Sequence, residues 1–181
     1  MSAELEKQVL ELQKKLEQMK PGASDKLSMI VFSGDLDKLL ASLIIATGAV
    51  AMGLKVVMFF TFWGTSALRA PEKKVRGKNF MSKMFGFMLP KGTAKLKLSK
   101  MNMAGMGTAM MKSLMKKKNV ASPEQMFEIA GQLGVQIYVC EMSMDLMGFK
   151  LEEMINYPNL KSCGVATFLA EAKDSKIQLF I

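Results

Sequence analysis

The sequence predicts an α/β fold: an open, mostly parallel sheet between helices in three layers, with a heptad helix in front and a basic, methionine-rich insertion inside. Three observations carry this expectation. Short apolar, partly β-branched runs alternate with helical patterns in the order β-α-β-(insertion)-α-β-α-α-β. The first strand, helix and strand occupy about 36 residues, the size of a parallel unit with a right-handed crossover. Half of the 181 residues are apolar, enough for one domain with a real core.

The elements follow in order. Leu5, Val9, Leu12, Leu16 and Met19 alternate steps of four and three, a heptad seam that stops at Pro21-Gly22. Two heptads are marginal alone, so residues 1–22 form either an oligomerising arm or a helix docked on the domain, and the arm is favoured. The domain itself is expected over residues 26–181. Leu27–Phe32 reads as a buried strand and Ser33-Gly34 as a turn. Asp35 or Asp37 suits the start of a helix that runs to about Met52 and stops at Gly53. Lys55–Phe62 is a second buried strand, ended by Trp63-Gly64.

The insertion, about residues 66–120, then interrupts the alternation. Arg69 to Lys118 holds fourteen Lys or Arg and one acid, Glu72, a charge of +13, whereas the other eleven bases and fifteen acids leave −4. The net +9 of the chain therefore arises in this segment, which also carries nine of the nineteen methionines. Two stretches in it look helical, NFMSKMFGFML and MNMAGMGTAMMKSLMKKK; in the second, Met103, Met106 or Gly107, Met110 and Leu114 recur at helical steps. Leu96 and Leu98 suggest a further short strand. This composition is either a solvated basic face over a methionine-filled core or an adaptable surface for a membrane or an acidic protein. Nucleic acid is not expected, because no RNP-like or helix-turn-helix pattern accompanies the charge.

Regular structure resumes at Ser122-Pro123-Glu124, a cap, a proline at the first helical position and an acidic first turn. Met126, Ile129, Ala130 and Leu133 form the stripe of that helix, and Gly134 ends it. Val135–Val139 is the third clear strand and delivers Cys140. A short helix around Leu151–Ile155 breaks at Pro158, Cys163–Ala172 reads as a helix, and Ile177–Ile181 is the last strand.

Composition removes several function classes. The chain has no histidine, so Ser-His-Asp and Cys-His catalysis and imidazole metal ligation are excluded. Two cysteines 23 positions apart, with no CxxC, support neither a zinc ribbon nor a thioredoxin-type dithiol. No GxGxxG or GxxxxGK[ST] motif supports a dinucleotide or P-loop site. No cofactor or metal is expected. The first twenty residues lack an apolar signal region, and the longest uncharged run, Leu39–Leu54, is too short to span a bilayer as a helix. A cytoplasmic setting, in which thiols stay reduced, is expected.

Chemistry is then left to Cys, Lys, Asp, Glu, Ser or Tyr, and Cys140, in YVCEMSMDLMG, is one candidate. Ligands of open parallel sheets sit beyond the carboxyl ends of the strands. If the first strand neighbours the third, the loops at Ser33-Gly34, Trp63-Gly64 and Cys140–Ser143 converge on one crevice, lined also by Met142. Backbone N–H groups of Met142–Asp145, a hydrogen bond from Ser143 and the lysine-rich segment would favour a thiolate. Glu141 and Asp145 would oppose it. Cys140 is accordingly either reactive or a small core residue. Cys163 reads as a core residue at a helix start, and as the one other thiol available.

Four stretches resemble the DsrE/DsrF-like family of sulfur-relay proteins, in its longer branch with an inserted basic, methionine-rich segment. They are FFTFWG at Phe59–Gly64, KLSKMNMAGMGTAMM at Lys97–Met111, YVCEMSMDLMG and CGVATFLAEA at Cys163–Ala172; the match covers about Lys26 to Ile181. The resemblance implies a Rossmann-like domain that forms homo- or hetero-oligomers. It implies that Cys140 carries sulfur as a persulfide; beside it, from their position in the sequence, Glu141 reads as a modulator and Ser143 as a hydrogen-bond donor to sulfur. It also implies exchange with small TusA-like carriers or rhodanese-like proteins. Sulfur carrier or sulfurtransferase is the first reading. A non-catalytic oligomeric module, bound to a membrane surface or an acidic protein through the basic segment, is the alternative. A peroxidase-like redox enzyme, with Cys163 as resolving partner, ranks last.

Overall fold

The computed structural model describes residues 24–73 and 80–181. The heptad arm expected over 1–22 lies outside them. The order is β1 (Ser24–Val31), α1 (Leu36–Ala51), β2 (Lys55–Phe60), α2 (Phe80–Met88), α3 (Met106–Lys117), α4 (Pro123–Gln132), β3 (Gln136–Cys140), α5 (Glu141–Met147), β4 (Leu160–Cys163), α6 (Val165–Lys173) and β5 (Ser175–Phe180). The five strands form one sheet in the order β4-β3-β2-β1-β5, and every neighbouring pair is parallel. With helices on both faces, this is the three-layer, Rossmann-like α/β arrangement that the alternation of patterns predicts.

Period-two side chains sort the core. Val56, Met58 and Phe60 of β2 point to one face, with Leu27, Met29 and Val31 of β1 and Ile137 and Val139 of β3. Leu36, Leu39, Leu43 and Ala46 of α1, and Met126, Phe127 and Ala130 of α4, cover that face. Val57 and Phe59 point to the other, where Phe168 of α6 stacks on Phe59 at 4.8 Å between ring centroids.

Local chemistry accounts for the helix ends. Asp35 holds the N-cap position of α1 without a side-chain bond to the helix; its carboxylate accepts from Ser33 Oγ at 2.8 Å, and its N–H donates to the same oxygen at 3.2 Å. Ser122 and Gln125 close a capping box at α4: Ser122 N–H donates to Gln125 Oε1 at 2.8 Å and Gln125 N–H to Ser122 Oγ at 3.3 Å.

Several expectations are corrected. β2 lies between β1 and β3, so the first strand does not neighbour the third. Residues 160–163 form a strand, and Cys163 closes it instead of opening a helix. The segment around Leu96 and Leu98 is a 3-10 turn (Thr93–Lys95) followed by irregular chain, and Leu151–Glu153 is a single 3-10 turn. On α4 the buried residues are Pro123, Met126, Phe127 and Ala130, whereas Ile129 and Leu133 are exposed. On α3, Met106, Met110 and Leu114 are exposed while Gly107, Thr108 and Met115 pack inward. Methionine is apolar enough to mark a stripe in a sequence, yet flexible enough to lie on a surface.

Candidate functional site

Cys140 is the last residue of β3 and the cap of α5, with φ −69° and ψ 118°. The strand holds it because Ile137 and Val139 anchor one face, leaving Tyr138 and Cys140 on the other. There Cys140 is buried with Cys163, Val57, Phe59, Phe168 and Ala172. Cys163 is its register partner on β4. The two thiols thus end adjacent parallel strands on the same face, and both are reduced. Sequence reasoning left the approach of the two thiols open and missed the strand that brings them together. Its signal is the four-residue run LKSC between the Pro158-Asn159 turn and Gly164.

The neighbours of Cys140 part at once. Glu141 and Met142 are exposed, whereas Ser143 is fully buried. Ser143 Oγ shares a hydrogen bond with Thr61 Oγ1 at 2.9 Å and accepts one from Phe62 N–H at 3.0 Å. Phe62 sits at φ +45°, a left-handed conformation that a bulky side chain adopts only under constraint. Ser143 therefore ties the strained turn after β2 to the first turn of α5. Its bonds run to that turn, where the sequence suggested one to sulfur. Thr65 reinforces the junction, donating to Phe62 O at 2.5 Å and to Met147 Sδ at 3.6 Å.

Gly34 and Gly64 interlock the loops after β1 and β2. A Cβ on Gly64 would lie 2.3 Å from Val31 O, and one on Gly34 would lie 2.7 Å from Trp63 O, so neither position admits a side chain. Beyond them lies an open cavity of about 330 Å³, lined by Ser33, Gly34, Asp35 and Trp63 and by Leu89 and Pro90 of the insertion. It sits at the end of β1, where strand order reverses toward β5. Cys140 is not among its lining residues. One strand, β2, separates β3 from β1, two strand spacings or on the order of 10 Å. The structure brings Ser33, Gly34, Trp63 and Gly64 together and places Cys140, Met142 and Cys163 elsewhere.

The insertion is fastened to the domain through Arg69. Its guanidinium lies 3.6 Å from Glu153, stacks over the Phe149 ring at 4.3 Å and donates to Gly86 O and Pro90 O. Burial lowers the pKa of this arginine, and Glu153 opposes the shift. Lys73 donates to Met154 O at 2.7 Å, and Lys112 to Ala94 O at 2.6 Å, so part of the positive charge is spent on backbone carbonyls.

Burial pushes the Cys163 thiol up to about 11, with Glu141, Cys140 and Glu171 adding to the shift. Tyr138 donates to Glu171 Oε1 at 3.3 Å, and burial followed by that carboxylate raises its pKa. Lys26 pairs with the other oxygen of Glu171. Among the described residues no group of three Asp, Glu or Cys side chains is placed to hold a metal, and no helix is long and apolar enough to cross a membrane.

An all-parallel five-stranded sheet between helices defines a Rossmann-like domain, and a cysteine closes its third strand. The chain belongs to the DsrE/DsrF/DrsH-like family, which matches residues 23–180. It is 45% identical over 156 residues to the uncharacterized protein YrkE of Bacillus subtilis (strain 168), covering 86% of this chain and 96% of that one. It is 36% identical over 161 residues to the sulfur carrier protein DsrE2 of Allochromatium vinosum, covering 86% and 98% respectively. The crystal structure of the ychN protein from E. coli shares the fold, with a TM-score of 0.53 at 12% identity over 86% of this chain and 98% of that one.

Proposed function

We propose that the protein is a sulfur carrier that holds sulfur as a persulfide on Cys140 and exchanges it with a partner protein. The carrying observation is the position of Cys140: a thiol at the carboxyl end of a central strand, capping α5, in a chain without histidine and related to a protein named a sulfur carrier. The Cys140 thiolate attacks the outer sulfur of a donor persulfide, forming Cys140–S–S–H and releasing the donor thiol. An acceptor thiolate then takes that outer sulfur and returns Cys140. Neither half needs an imidazole; both need a thiolate and room for an incoming thiol. The donor or acceptor, a TusA-like or rhodanese-like protein, reaches the sulfur past Glu141 and Met142, which are exposed beside it. Glu141 disfavours a second negative charge there and so modulates release. Ser143 acts through position, by holding the start of α5 against the turn after β2.

Incubation with inorganic polysulfide followed by intact-mass measurement tests this reading. One added sulfur atom is expected, lost in Cys140→Ser and retained in Cys163→Ser. Absence of an adduct in both the wild-type chain and Cys163→Ser would sink the proposal.

The basic segment supports a second surface. Met101, Met103, Met106 and Met110 are exposed before and along α3, whose last turn carries the exposed Lys116 and Lys117. This surface suits an acidic protein or an anionic membrane, either of which would hold the carrier beside its partner. Co-sedimentation with anionic vesicles at low and high salt is the check: no binding at either salt excludes the lipid. The arm at 1–22 is proposed to assemble copies of the chain, and an unchanged mass by light scattering after its deletion would exclude that.

A further inference from the structure

We infer that Cys163 resolves the Cys140 persulfide by forming a reversible cross-strand disulfide with Cys140 and expelling the carried sulfur as hydrosulfide. This inference rests on the carrier reading and adds a route by which cargo is lost without an acceptor protein.

The geometry is that of the sheet. Cys140 and Cys163 are register partners on adjacent parallel strands, and both side chains lie in the same small cluster. Neighbouring strands are about 4.8 Å apart, inside the range of roughly 4.4–6.8 Å that Cα atoms of a disulfide span. The two residues also end their strands, where ladder pairing stops. β4 is a four-residue edge strand, the member of the sheet with least holding it in place. A slight inward movement of that end brings the sulfurs together without breaking the central ladder.

The step balances without an added oxidant. Cys163 loses its proton to solvent, and its thiolate attacks Cys140 Sγ. A bond forms between the two Sγ atoms as the bond from Cys140 Sγ to the outer sulfur breaks. The outer sulfur leaves with the electron pair as hydrosulfide. Its reduction matches the oxidation of the Cys163 sulfur, and Cys140 keeps its oxidation level. An external dithiol then reduces the disulfide and restores both thiols.

The surroundings set the rate. Glu141 at the start of α5, Glu171 on α6 with its Lys26 and Tyr138 partners, and Cys140 itself face Cys163. Together with burial they keep Cys163 protonated at neutral pH, so the attacking thiolate is scarce. The persulfide consequently outlives an encounter with an acceptor, and resolution speeds up as pH rises.

The test uses the full chain, reduced, loaded with inorganic polysulfide and desalted. Intact mass, sulfide release and peptide mapping are then followed at neutral and alkaline pH. The expected course is conversion of the one-sulfur adduct to a species two hydrogens lighter than the reduced chain. Its map joins Cys140 to Cys163, and one sulfide appears per chain. Cys163→Ser and Cys163→Ala should keep the adduct at least about tenfold longer. A wild-type adduct as long-lived as that of either variant, or sulfide release without the cross-link, overturns the inference. Treatment with the thiol oxidant diamide separates the two ideas. A cross-link with diamide, but no sulfur ever loaded from polysulfide, removes the carrier reading and leaves the disulfide pair. Loading without a cross-link under either reagent removes the pair and leaves the carrier.

Discussion

The two faces of the sheet are built differently. One carries the main core, in which α1 and α4 cover the alternating residues of β1, β2 and β3. Among the described residues that core has twenty-five buried side chains, against six on the opposite face, where Phe168 and Ala172 of α6 cover both cysteines. Stability therefore resides mainly on one face, and the two thiols lie under a thin layer on the other. On the proposed carrier reading, another protein's thiol would be admitted on this thinner side, where opening costs least.

Substitutions can break or sharpen that contrast. The largest effect is expected from Phe60→Ala, which empties a fully buried site facing Phe127 on the thick side. A loss of about 3–5 kcal/mol in urea unfolding is expected, with the alkylation rate of Cys140 in the folded fraction unchanged. Equal acceleration of alkylation would show that the faces are coupled. Ser143→Ala should cost about 1–3 kcal/mol, because it leaves Thr61 and the Phe62 N–H with an unmade bond. It should also speed alkylation of Cys140, since α5 loses its tie to the turn after β2; an unaltered rate would assign Ser143 to stability alone.

The smallest effect is a pH slope. The folded chain keeps the Cys163 proton up to about pH 11, while the unfolded chain releases it near the ordinary thiol value of 9.0. Between those values the unfolded state binds fewer protons, so stability falls as pH rises through the window. Urea midpoints on both sides of it should show the fall in the wild type and a smaller one in Cys163→Ala. Identical slopes would mean that Cys163 is not the group responsible.

The parts legible in the sequence share a local cause. The strand at Leu27–Val31, the helix begun by Asp35 and ended near Met52, and the capping box at Ser122 each depend on neighbours a few residues away. Cys140 at the end of its strand was legible for the same reason. β4 was not, because LKSC is too short to show an alternation and its burial comes from β3 and α6. The stripes on α3 and α4 were misjudged because a helix has many apolar positions and only its partner decides which are covered. Convergence of Ser33 and Trp63 with Cys140 was a condition on strand order, and strand order is a property of the whole sheet.

By itself the sequence determined the α/β class, the absence of imidazole chemistry and the resemblance that singles out Cys140, since composition and local pattern suffice for these. Only the tertiary structure set Cys140 beside Cys163, turned Ser143 toward Thr61 and separated the cavity at β1 from the thiols. Each of those depends on which strands pair and in what register, a choice made by burial summed over the sheet and not by any one segment.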